Sequence, residues 1–162
     1  MVQLNTINFR DYAKKEKALL QALQMYNIEI ASPMMFYTNR LATFTNWTFK
    51  SGNCTAEHMA HAGFYLIQDD CTKCVFCYKE LDGWEVTDYP WDEHKSHKPD
   101  CPFVQLNKRD LTTCHIDEFI VLNSAVVKNK MMETLQQGKE ELTRMFDDFK
   151  AKITEKINRV AF

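Results

Sequence analysis

The sequence predicts an α+β fold in which a small domain of short strands and helices is followed by one long C-terminal α-helix. Three observations carry that prediction. Between about Met35 and Val104 the chain is dense in aromatic residues and turn signals, with apolar runs too brief for long elements. From Ile116 almost to the end no proline occurs, and apolar residues recur at helical spacing. Cysteine and histidine crowd into the single segment CTKCVFCYKELDGWEVTDYPWDEHKSHKPDC, Cys71 to Cys101.

Composition narrows the class. The 162 residues give room for one domain with an extension, or for two small domains. An apolar fraction of 45% with 12% aromatics implies a packed core rather than disorder. A net charge of −2 and a pI near 6.2 exclude a globally basic nucleic-acid binder. No run of 18 apolar residues and no N-terminal apolar core of a signal peptide occur, so a soluble intracellular protein is expected. The sequons at Asn46 and Asn53 are then expected to stay unmodified.

The elements follow in order. Residues 1–31 read as a helical N-terminal extension. Within them, Phe9, Tyr12, Leu19, Leu20, Leu23 and Tyr26 lie near helical spacing over 8–26, with Asn8 as the candidate N-cap. This helix is expected to cover one side of the next domain. Pro33 breaks the pattern, because the residue before a proline is pushed out of the helical region. A domain over 32–108 follows. In it, Ala56–Ala62 reads as a short helix stopped by Gly63, with Thr55 as a partial N-terminal signature. Cys74–Tyr78 and Trp84–Val86 read as strands around the turn ELDG.

The last region, 115–162, reads as one helix. From Leu142 apolar residues recur every three or four positions, at Met145 with its neighbour Phe146, then Phe149, Ile153, Ile157 and Val160. About 45 helical residues span roughly 65 Å, too long to lie wholly on a domain of about 70 residues. The stripe therefore wants another helix. The spacing is not a strict heptad, so a self-paired dimeric coiled coil is not implied. Gly138 weakens the helix by about 1 kcal/mol relative to alanine.

Clustered cysteines with a nearby histidine, in a reducing compartment, point to metal rather than disulfides. The pattern C-x2-C-x16-H-x6-C, formed by Cys74, Cys77, His94 and Cys101, offers three thiolates and one imidazole, a closed tetrahedral set that suits zinc. Two alternatives stand beside it. Cys71 with Cys74 makes an overlapping C-x2-C, and His97 rivals His94. His58 and His61, three apart on the short helix, read as surface or packing residues, and Cys54 and Cys114 as core or surface residues. A catalytic zinc needs an exchangeable water, and four good donors leave it no position, so no enzyme is expected. Carboxylates accumulate beside the cluster at Glu80, Asp82, Glu85, Asp88, Asp92 and Glu93. Next to Trp84 they suit a cationic end group such as a free N-terminal ammonium.

At these residues the chain resembles the baculovirus-IAP-repeat (BIR) family of inhibitors of apoptosis. The resemblance is carried by RLATFTNW (Arg40 to Trp47), MAHAGFY (Met59 to Tyr65), CVFCYKELDGWE (Cys74 to Glu85) and DYPWDEHKSH (Asp88 to His97). It is strong over 35–104 and continues through LTTCHIDEFIVL into the long helix, as in single-BIR members; residues 1–31 are not covered. No second repeat and no RING-type Cys/His set is present, so a ubiquitin-ligase role is not implied. The chain departs from the family at Thr48, where proline is usual, and at Val86, Thr87 and Tyr89, which stand where proline and acids are usual. It also lacks the tryptophan that single-BIR relatives carry shortly before the position of Arg40 in a self-association surface.

The resemblance implies a BIR fold with a short three-stranded sheet. It implies one structural zinc on Cys74, Cys77, His94 and Cys101. Asp82, Trp84 and Asp88 would hold the N-terminal residue of a histone H3 tail that begins with alanine. Lys79 and His97 would face a phosphothreonine two residues later. The long helix would bundle with borealin-like and INCENP-like helices in the chromosomal passenger complex that positions Aurora B kinase, with Phe119, Leu122, Val126, Leu135 and Leu142 as anchors. That complex implies the nucleus and chromosomes (centromere), the spindle midzone in mitosis, and the cytoplasm. The alternative implied by the same family is an apoptosis inhibitor that binds caspases or the N-terminal peptides of their antagonists.

Overall fold

The computed structural model describes residues 11–160, which fall into two compact units, one ending at Val127 and one beginning at Lys128. The predicted Asn8 cap and the Phe9 contact lie outside the described residues. Helix α1 spans Tyr12–Met25 and buries Tyr12, Glu16 and Leu23. A buried glutamate on an otherwise apolar face needs partners, and it finds them on helix α2, Tyr37–Thr43. The residue that precedes α2 is Phe36, which has no side-chain acceptor for the exposed N–H groups of the first turn. The Glu16 carboxylate takes that place. It accepts from the Tyr37 N–H, from the Thr38 N–H at 3.1 Å and from the Thr38 hydroxyl at 2.6 Å. The Tyr12 and Tyr37 rings lie 4.5 Å apart beside it.

Pro33 opens a single 3-10 turn, Pro33–Met35, with the Ser32 hydroxyl accepting from the Met34 N–H. Arg40 then ties three pieces together from inside the core. Its Nε donates to the Ala60 carbonyl at 2.8 Å, and its Nη1 donates to the carbonyls of Met34 and Met35 at 2.8 and 2.6 Å. Burial pulls its pKa down to about 10, yet the guanidinium stays charged at neutral pH because carbonyl oxygens surround it. Helix α3, Ala56–His61, starts at Thr55, whose hydroxyl accepts from the His58 N–H. It ends before Gly63, at φ +94°, where a Cβ would stand 3.1 Å from the Phe103 ring.

Strands β1 (Phe64–Gln68), β2 (Cys71–Cys74) and β3 (Glu80–Leu81) form one antiparallel sheet in the order β1-β2-β3. Phe64 pairs with Cys74, and Lys73 with Glu80. The sheet has the expected three strands, but two of the strands read from sequence are misplaced. Only Cys74 of the Cys74–Tyr78 segment is in a strand. The rest curls into a turn in which the Tyr78 N–H donates to the Cys74 carbonyl at 2.9 Å and Tyr78 sits at φ +61°. Two thiols three residues apart can converge only if the chain bends between them. Trp84–Val86 is not a strand either. The Trp84 indole turns inward, donating to the Thr72 hydroxyl at 3.2 Å and the Leu81 carbonyl at 3.3 Å.

Helices α4 (Pro90–His97) and α5 (Pro102–Leu106) each begin on a proline, which needs no N–H partner there. Helix α6 runs over 45 residues, Ile116–Val160. Glu118 fixes its start, accepting from the His115 N–H at 2.8 Å and from Lys108 Nζ. Its first turns complete the core of the first unit. Phe119, Leu122 and Val126 are fully buried there, and the Asn123 side chain donates to the Glu29 carbonyl and accepts from the Ala31 N–H. This corrects the sequence assignment of those three residues to a partner helix: their side chains are already spent on the chain's own core. In the second unit the stripe is open, with Leu135 65% and Leu142 53% exposed, and Met145, Phe146, Phe149, Ile153 and Ile157 exposed beside them.

Candidate functional site

Four elements deliver one donor set. Cys74 ends β2, Cys77 lies in the turn after it, His94 faces inward from α4, and Cys101 precedes α5. Their ligand atoms all lie within 4.8 Å of one another, and Cys77 Sγ is 3.5 Å from His94 Nε2. A tetrahedral zinc with sulfur bonds of about 2.3 Å places its sulfurs roughly 3.8 Å apart, so the set fits one such ion. The His94 ring is fixed from behind. Its Nδ1 lies 2.8 Å from the Ala62 carbonyl, an acceptor, so Nδ1 carries the proton and Nε2 turns its lone pair toward the thiols. Phe64 lies against the same imidazole at 4.8 Å, and Trp91 meets it edge-on at 6.2 Å, which holds the ring in place.

The thiols cannot all ionise in this space unaided. Burial pushes the Cys74 thiol well above its ordinary pKa. Cys101 is drawn down to about 4, first by hydrogen bonds from Cys74 and Cys77, then by backbone N–H groups of Val104 and Phe103. Thiols that share hydrogen bonds this closely beside an imidazole are a donor set whose protons a divalent cation displaces. The donor set therefore can hold one metal ion.

The alternatives resolve on geometry. Cys71 and Cys74 are three apart on a strand, so they face opposite sides of the sheet, and Cys71 stays half-exposed outside the cluster. His97 is exposed on the last turn of α4, with Nε2 3.6 Å from Glu93. His58 Nδ1 lies 2.9 Å from the Thr55 hydroxyl, and His61 is buried edge-on to Tyr12 at 6.2 Å. Cys54 is buried with its Sγ 3.7 Å from Met59 Sδ, and Cys114 is half-buried. Sequence reasoning missed the Ala62 carbonyl that orients His94, since a backbone acceptor leaves no trace in residue identity.

Four of the residues assigned to peptide binding occupy one stretch between the ligands Cys77 and His94, and the fifth, His97, ends α4. Lys79 is half-buried after the turn, Asp82 is exposed, and Asp88 is half-buried. Trp84 is only 8% exposed, its ring edge-on to Phe64 at 5.5 Å, so it offers an edge rather than a broad wall. Asp88 closes its own turn: Oδ2 accepts from the Glu85 N–H at 2.7 Å, and the Asp88 N–H donates to the Glu85 carbonyl at 3.1 Å. Glu80 pairs with Lys73 at 3.1 Å across the strand pair, which takes it out of the free carboxylates.

The Inhibitor of Apoptosis (BIR) domain model matches residues 40–105. Baculoviral IAP repeat-containing protein 5 of Cavia porcellus is 36% identical over 130 residues, covering 76% of this chain and 87% of that protein. Its counterpart in Mus musculus is 38% identical over 107 residues, covering 63% of this chain and 76% of that one. Baculoviral IAP repeat-containing protein 5.2 of Xenopus tropicalis is 44% identical over 105 residues, covering 60% of this chain and 65% of that protein.

Proposed function

The chain belongs to the inhibitor-of-apoptosis family as a survivin-like, single-BIR protein, and from this premise we propose that it is a zinc-stapled, non-catalytic reader of peptide N-termini. Its target on this reading is a histone H3 tail that begins with alanine and carries phosphate on its third residue. Its setting is a chromosomal passenger complex acting on chromosomes and, later, at the spindle midzone. The observation that carries the reading is the closed Cys74, Cys77, His94, Cys101 set with a carboxylate-bearing loop leading away from it. Zinc bound there supplies a cross-link between β2, α4 and α5 and no reactive water.

The rest is work for the chain's own residues. Asp82 and the free oxygen of Asp88 take the N-terminal ammonium, while the edge of Trp84 packs the small first side chain. Acetylating that amine removes the charge the carboxylates recognise. Lys79 and His97 supply positive charge to the phosphate, and His97 exchanges its Glu93 contact for it. The exposed stripe Leu135, Leu142, Met145, Phe146, Phe149 supports docking of helices from borealin-like and INCENP-like partners, and through them Aurora B kinase.

The family's connection with apoptosis favours a second reading, capture of caspases or of the N-terminal peptides of their antagonists. Side-by-side calorimetry separates the two. The first reading expects the alanine-starting histone peptide with phosphothreonine to bind tighter than its unmodified form and tighter than an antagonist-type peptide. An antagonist peptide that outcompetes both would reverse the order of the two readings.

A further inference from the structure

The loop that carries Asp88 is held from the side by a residue that belongs to neither the metal set nor the peptide-binding set. The Asn53 backbone N–H donates to the Val86 carbonyl at 3.1 Å, and its side-chain Nδ2 donates to the Thr87 carbonyl at 3.2 Å. One residue thus satisfies two consecutive carbonyls of the turn Glu85–Asp88. That turn is closed on itself by the Glu85 and Asp88 hydrogen bonds, with one oxygen of the Asp88 carboxylate committed inside it. The direction of the other oxygen therefore follows the pose of the turn as a whole. Side-chain packing on the turn is thin: Val86 is 45% exposed, with one methyl lying against Gly52.

Asn53 itself is firmly placed. The buried Trp47 indole donates to the carbonyl of the next residue, Cys54, at 2.8 Å, and Trp47 is packed edge-on by Phe44 and Phe49. On the other side Gly52, at φ +90°, brings the backbone so close that a Cβ there would stand 2.8 Å from the Val86 carbonyl oxygen. The contact is thus between a rigid segment and a turn that, beyond its own hydrogen bonds, leans on that same segment at Gly52 and Asn53. We propose that Asn53 is a positioning residue for peptide recognition, setting where Asp88 presents its carboxylate to an incoming N-terminal ammonium. This rests on the reading of the Asp82–Asp88 stretch as an N-terminus site.

The test uses the full-length, zinc-loaded protein and its Asn53→Ala and Asn53→Asp variants. Alanine removes the bond to Thr87 while the backbone bond to Val86 survives; aspartate sets an acceptor against the Thr87 carbonyl. Two readouts are taken: hydrogen exchange at the Glu85 and Asp88 amides, and calorimetric affinity for an alanine-starting peptide with a free or an acetylated N-terminus. Both variants are expected to keep one zinc per chain and to exchange those amides faster. Loss of one hydrogen bond's worth of positioning weakens the free-amine peptide about fivefold while leaving the acetylated one unchanged, so discrimination shrinks. Unchanged amide exchange overturns the positioning role, and so does faster exchange with undiminished discrimination. A wild-type protein that binds both peptides equally overturns the underlying N-terminus reading, and this proposal with it.

Discussion

Cys71 and Cys77 stand equally far from Cys74, yet only Cys77 reaches the cluster. The difference is secondary structure: Cys71 sits on the strand with alternating faces, whereas Cys77 follows a turn that folds back. The variants Cys77→Ser and Cys71→Ser should therefore separate cleanly. Cys77→Ser should lose its zinc and with it folding energy on the order of 10 kcal/mol, so that the domain no longer melts cooperatively. Cys71→Ser should keep one zinc and its melting temperature. Metal analysis beside a melting curve checks both.

His61 is the other residue with a clear consequence. Burial, followed by the nearby Arg109, Arg40 and His58, holds its pKa down to about 4 against an ordinary 6.5, with Asp110 opposing. The fold thus favours the neutral ring and the unfolded chain favours the proton. The stabilisation from neutral His61 is complete above about pH 6.5 and is lost as pH falls toward 4. Melting temperatures between these values should fall more steeply for the wild type than for His61→Gln. Comparing the two slopes cancels the acid release of metal that both share. Equal slopes would mean that His61 takes its proton without strain.

At the level of elements, α1 is more than a cover, because its Glu16 serves as the N-terminal cap of α2. Glu16→Ala leaves one buried N–H, one half-buried N–H and a hydroxyl of α2 without that acceptor. The expected cost is about 1–3 kcal/mol, seen as a melting temperature several degrees lower with zinc content unchanged. Helix α6 calls for a split prediction. Leu122→Asp should destabilise the first unit, since that side chain is buried. Leu142→Asp or Phe149→Asp should leave the melting temperature alone and abolish co-purification with borealin-like and INCENP-like helices. Loss of stability in the Leu142 variant would argue that the stripe packs within the chain.

The same helix shows what a sequence can and cannot disclose. Phe119, Leu122 and Val126, like Leu142, Phe146 and Phe149, are large apolar residues separated by steps of three and four. Periodicity announces an apolar face in both, but which face is already covered depends on tertiary packing that no local pattern records. The metal set was legible because thiols and imidazole at short spacings have one strong shared chemistry. Choosing Cys77 over Cys71 needed the family resemblance, and the structure supplies the reason in the turn after β2. Strand positions near the cluster misread because the same residues must bend to bring ligands together. Glu16 gave no signal at all, as it looks like any surface glutamate on a helix.

Taken as a whole molecule, the chain combines a unit whose Cys3His set can hold one metal ion with a helix that continues into a second unit with an exposed apolar stripe. The proposed division of labour puts peptide reading in the first and assembly in the second. Nuclear magnetic resonance on the zinc-loaded, isotope-labelled protein tests this most directly, with an alanine-starting histone peptide phosphorylated on its third residue as the ligand. Amide shifts should concentrate at Lys79, Asp82, Trp84, Asp88 and His97, and residues 128–160 should stay silent. Shifts centred on the long helix, or none at a peptide excess, would contradict the account.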